Sequence, residues 1–130
     1  MIVDIFNEVL SAVKTHVSPI KVLSHYPETT PEFPCVIMEE GSNTANFGTT
    51  DTSGEKFNNQ TFEINIFTIG SEKVSTAKGI RNKVDSIMSD QYGMNRDYSG
   101  TIPSFLDNNI YRWVLRYSCV VDKDKKLYRR

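Results

Sequence analysis

The chain has 130 residues, 38% of them apolar, and 15 basic residues against 16 acidic ones. That length suits one domain with one core, needing neither disulfide nor metal. The near-cancelling charge excludes any overall electrostatic demand for nucleic acid. The apolar share is low for a globular domain, as expected when one long segment is solvated.

Charge is unevenly placed. Residues 122–130 (DKDKKLYRR) carry five basic and two acidic residues, which leaves ten basic and fourteen acidic in the other 121. Such asymmetry marks residues 123–130 as a candidate interaction tail, with Lys123, Lys125, Lys126, Arg129 and Arg130 as its cations. Asp4 and Glu8 interrupt the apolar pattern at the N-terminus, so no secretory signal is read there. No run approaches the ~18 apolar residues of a membrane span, and the chain is expected in the cytosol when made. Cys35 and Cys119 lie far apart in apolar runs and are read as buried free thiols.

In chain order, Ile2, Ile5, Phe6, Val9, Leu10, Val13 and Val17 recur at three- and four-residue steps, the stripe of an amphipathic helix. Ser18-Pro19 ends it, because the residue before proline is pushed out of the helical region. Ile20 to Leu23 can form a short first strand. YPETTPEFP, with three prolines in nine residues, is an irregular connection. Cys35 to Met38 reads as a buried strand.

From Glu39 to Lys56 the pattern dissolves into small polar residues, and 41–56 is read as a projecting loop or β-arm. Phe47 is its one large apolar side chain, a candidate anchor. Phe62, Ile64 and Ile66 alternate in the strand that follows. Ser71 is placed to cap a second helix, in which Val74, Ala77, Ile80, Val84, Ile87 and Met88 form the buried stripe. Gly79 within it is expected to mark a close helix–sheet approach. Residues 92–108 contain turns and room for a short strand. The last strand, Ile110 to Val121, puts Tyr111, Trp113, Leu115, Tyr117, Cys119 and Val121 on a core face. Arg112 and Arg116 share the other face with aliphatics, which suits cover by a helix or another subunit. The fold class is α+β: a mainly antiparallel sheet packed against two helices, one domain over residues 1–122.

No catalytic, cofactor or metal site emerges. His16 and His25 lack partners at a ligand spacing. Glu39 and Glu40 are adjacent in a strand and point to opposite faces. Gly48 to Lys56 fails as a phosphate loop: the spacing is one residue too long, Glu55 precedes the lysine, and a strand follows rather than a helix.

Several stretches together carry a resemblance. The N-terminal amphipathic helix leads to YPETTPEFPCVIMEE and a long polar loop. SGEKFNNQTFEINIFT, SEKVSTAKGIRNKVDSIM and IYRWVLRYSCVVD follow. This order resembles the tail completion or tail terminator proteins of long-tailed bacteriophages, most specifically over Gly54 to Thr68. The resemblance implies a structural virion protein of the tail or neck, not an enzyme, assembled in the host cytoplasm. It implies a homo-hexameric ring that caps the tail tube and joins it to the head connector or stopper protein. DNA would pass through the ring without sequence-specific binding. Heterologous contacts of such a ring need two different adhesive faces. The candidates are Arg112 and Arg116 on one side, and Glu39, Glu40, Phe47, Asp51, Glu55 and Lys56 on the other. Alternatives are a head-completion or stopper protein of the neck, and, outside the resemblance, a small enzyme or unrelated binding module.

Overall fold

A computed structural model describes residues 4–27, 32–45, 57–103, 109–122 and 124–128. The chain runs α1 (Phe6–Val17), β1 (Lys21–Leu23), β2 (Cys35–Ala45), β3 (Phe57–Thr68), α2 (Lys73–Asp85), a π-helical turn (Ser86–Gln91), β4 (Asn95–Thr101), β5 (Tyr111–Asp122) and β6 (Leu127–Tyr128). The strands form one sheet in the order β1-β2-β3-β5-β4, with β6 also on β5. β1 runs parallel to β2 and every other pairing is antiparallel. The architecture is α+β, as the periodicities require.

Helix α1 forms because Ile5, Val9, Leu10, Val13 and Val17 line one side and are all buried. Its first turn is held by Asp4, whose carboxylate accepts the Phe6 N–H at 2.8 Å. The main core lies between the helices and one sheet face. Val36, Met38, Phe62, Ile64, Ile66, Leu115, Tyr117, Cys119 and Val121 contribute from the sheet, and Ala77, Ile80, Val84, Ile87 and Met88 from the second helical segment. Phe6 stacks on the fully buried Phe62 with ring centroids 6.2 Å apart.

Four expectations need correction. β2 does not stop at the apolar run: it continues through the polar residues 41–45, each of Ser42 to Ala45 pairing with β3. Of the segment read as a projecting loop or β-arm, residues 41–45 are therefore strand, because main-chain bonds to β3 outweigh weak side-chain propensity, and residues 46–56 lie outside the described residues. Gly41 lies at the register shift of this pairing. A Cβ there would sit 2.5 Å from Thr61 Oγ1, so a side chain at this position would oblige Thr61 to shift.

Val74 is 44% exposed and lies outside the buried stripe. Gly79 is also exposed, with nothing within 4 Å of an added Cβ. It marks no close approach. Ser71 does not cap α2. The helix starts after Glu72 without a side-chain cap; Thr68 Oγ1 instead donates to Lys73 O at 2.7 Å, tying its first turn to β3.

Candidate interaction surfaces

The sheet face away from the helices divides in two. At one end Cys35, Ile37, Phe67 and Ile110 form a small second core, with Leu23 and Phe33 packed against it. Arg112 seals its margin. The side chain is 9% exposed; Nε donates to Asn65 Oδ1 at 2.7 Å and Nη2 to the Tyr26 hydroxyl at 3.5 Å. Its guanidinium also lies 5.7 Å from the Phe67 ring centre, and Tyr26 meets that ring edge-on. Burial raises the Tyr26 hydroxyl above its ordinary range, with Glu39 and Glu63 adding to the rise and Arg112 opposing it. Arg112 thus ties the connection after β1 to the sheet within the chain.

The other end of this face is polar. Glu63 lies opposite both Glu39 on β2 and Arg116 on β5. Arg116 Nε pairs with Glu63 Oε1 at 3.0 Å, and its guanidinium lies 5.2 Å from the Tyr98 ring. Two register shifts, at Gly41 in β2 and Asp97 in β4, flank the β3–β5 pair at one level. Between them is a shallow depression of about 350 Å3 lined by Gly41, Thr61, Glu63, Asp97 and Arg116. Ser42 and Thr61 hydroxyls close its β2 side at 2.9 Å.

The predicted interface residues are therefore only partly brought together. Arg112, Arg116 and Glu39 share one face, and both arginines have partners within the chain. Glu40 is on the opposite face. Burial raises its carboxyl, Asp4 adds to the rise, and a hydrogen bond with Asn43 opposes it. Phe47, Asp51, Glu55 and Lys56 lie outside the described residues, as do Lys123, Arg129 and Arg130.

The segment read as a tail is in part folded. Asp122 Oδ1 accepts the N–H groups of Asp124 and Lys126, both at 2.9 Å, and Leu127–Tyr128 pairs with Val120 and Val121. Lys125 adopts φ 65 in this turn, and Lys125 and Lys126 are exposed on it.

Sequence reasoning missed Glu63, Asn65 and Tyr98, the residues that occupy the two arginines. The alternation of Phe62, Ile64 and Ile66 already places Glu63 and Asn65 on the opposite face. What it lacks is the register that sets them beside β5.

A further polar cluster lies on the helix side. Asp85 Oδ1 accepts the Tyr117 hydroxyl at 2.7 Å and the Ser89 hydroxyl at 2.8 Å, and pairs with Arg96 at 3.0 Å. Burial works to raise this carboxyl, but the hydrogen bonds from Tyr117, Ser89 and Arg96 hold it below the usual carboxylate range. Burial and the Asp85 charge push the Tyr117 hydroxyl far above its ordinary value. One carboxylate thus joins α2, the π-helical turn, β4 and β5.

Both cysteines are free and buried, on opposite sheet faces. Burial pushes the Cys35 thiol up to about 11, against a small opposing effect of Lys21, which leaves it protonated and unreactive at neutral pH. Among the described residues no helix is long and apolar enough to cross a membrane.

No protein-family model matches the chain, and no curated protein matches it. Solved structures do match its fold. One, whose name states no function, aligns over 87% of each chain with a TM-score of 0.57 and 9% identity. At that identity the likeness concerns the fold alone.

Proposed function

We propose that the chain is a ring-forming structural subunit of a long-tailed phage, the tail terminator that caps the tail tube and joins it to the head connector. The sequence resemblance over Gly54 to Thr68, and the order of elements around it, support this reading. The observation that carries it is the β2–β3 hairpin. After the buried Met38, that strand runs on through seven further positions with almost no apolar side chain, paired to its end. A strand extended beyond its own contribution to the core spends ordered backbone on presenting the connection between Ala45 and Phe57. Connections held on a rigid scaffold commonly carry function.

The two lateral edges of the sheet differ, which suits heterologous contact. One is the three-residue parallel strand β1; the other is β4 with its bulge at Asp97. Unlike edges can meet head to tail, and such contacts close a ring when the rotation allows.

The test removes the presented segment without touching the paired strands. Replacing residues 46–53 by a short glycine-serine link should leave a folded subunit that no longer joins heads to tails in an assembly extract. Infectious particles at the wild-type level from this variant would sink the role given to the hairpin.

A further inference from the structure

We propose that the outward face of α2 is a seat for the phosphodiester backbone of a nucleic-acid duplex. Lys73, Lys78, Arg81 and Lys83 lie on this helix, and no acidic residue occurs between Lys73 and Val84. Asp85, the one acid of the helix, is turned into the cluster with Tyr117, Ser89 and Arg96 and does not neutralise the outer face. Glu72 stands at the helix start, outside this stretch.

Helical spacing puts Ser75, Gly79 and Asn82 along one exposed crest, with exposed Lys78 and Lys83 on its two flanks. Neither lysine forms an ion pair among the described residues. The crest is unobstructed: nothing lies within 4 Å of a Cβ at Gly79. Arg81 borders it, its guanidinium 4.8 Å from the Trp113 ring centre and its Nη2 donating to Asn82 Oδ1 at 3.0 Å.

This chemistry favours a phosphate backbone over an acidic protein. A protein partner needs an apolar anchor at the centre of the contact. Here the centre is serine, glycine and asparagine, and Val74 lies only at the first turn. A phosphodiester backbone asks for cations and small polar groups at close range and carries no apolar requirement. The inference rests on this face alone and holds whether or not the subunits close a ring. In a ring the seats would add, since linked weak sites bind with raised effective concentration.

The experiment uses the full chain and a fluorescent mixed-sequence duplex of about 30 base pairs, titrated by anisotropy across a salt series. Two or three phosphate contacts per subunit give a slope of log K against log salt of about −2 to −3. Binding should not depend on sequence. Lys78→Glu with Lys83→Glu should weaken it about ten-fold or more at the lowest salt, by replacing two phosphate contacts with repulsion. Both side chains are exposed, and circular dichroism checks that the variant folds. Lys125→Glu with Lys126→Glu, on the C-terminal turn, should change binding less than about two-fold, having no place on this face. No binding at the lowest salt, unchanged binding by the α2 variant, equal loss from the C-terminal variant, or capture of polyglutamate in place of duplex would each overturn the proposal. Rings that form but ignore DNA would refute the seat and leave the ring reading standing; DNA binding by a strict monomer would do the reverse.

Discussion

Replacing Asp85 by asparagine preserves its shape and removes its charge, and so isolates what the carboxylate contributes. In the native chain Oδ1 takes hydrogen bonds from Tyr117 at 2.7 Å and Ser89 at 2.8 Å and an ion pair from Arg96 at 3.0 Å. Hydrogen bonds to a charged group are worth about 1.5–3 kcal/mol against about 0.5–1.5 for neutral pairs. The Asp85 side chain is 26% exposed, so solvent screens part of this. Asp85→Asn should therefore cost about 1–2 kcal/mol at neutral pH. Asp85→Ala should cost more, about 2–4 kcal/mol, because it also leaves the buried Tyr117 hydroxyl without that acceptor. Urea unfolding followed by tryptophan fluorescence, at pH 7 and again at pH 3 and 2, measures both. The folded-state carboxyl titrates below its ordinary 3.8. Its stabilisation is present above that value and is lost as pH falls through the depressed folded value. The gap between native chain and Asp85→Asn should accordingly narrow in acid. A gap under about 0.5 kcal/mol at pH 7, or one that stays undiminished at pH 2, would show that the Asp85 charge does not stabilise the fold.

Other outcomes follow from single positions. Gly79→Ala should raise stability by about 0.5–1 kcal/mol, since the site is helical, exposed and open; a loss in thermal unfolding would show that the glycine has a packing role. Arg112→Ala should cost about 2–3 kcal/mol by releasing Asn65 and Tyr26, and Arg112→Lys should recover little of it, because an ammonium does not reproduce the planar fork. Wild-type unfolding of the lysine variant would contradict that. Phe62→Ala should cost about 3–5 kcal/mol by emptying the space under Phe6, read as a matching fall in the urea midpoint.

Legibility in the sequence followed the strength of the period. The stripe of α1 and the alternation of β3 and β5 were plain, because each buries one face and their order defines an α+β sheet. What local pattern cannot contain is pairing. The polar half of β2 is a strand only because β3 supplies its hydrogen bonds. β1 is three residues long and pairs in parallel, and β6 exists because Asp122 folds the chain back onto β5. Val74 and Gly79 were misplaced for a related reason: helical spacing says which residues share a side, not where the covered arc ends. Arg112 and Arg116 were correctly set on one face, yet their partners, Asn65 and Glu63, come from a strand far away in sequence and depend on register. The depression between the two bulges was hidden in the same way: Gly41 hints at a bulge, but nothing local sets the two register shifts at one level.

The proposed role requires the chain to assemble with copies of itself. Light scattering coupled to size exclusion, with negative-stain images of the same fractions, tests it most directly. The expected result is closed rings of six copies of the 14.8 kDa chain, in isolation at high concentration or on the ends of added tail tubes. A particle that stays at the mass of one chain at every concentration, and leaves tube ends bare, would contradict it.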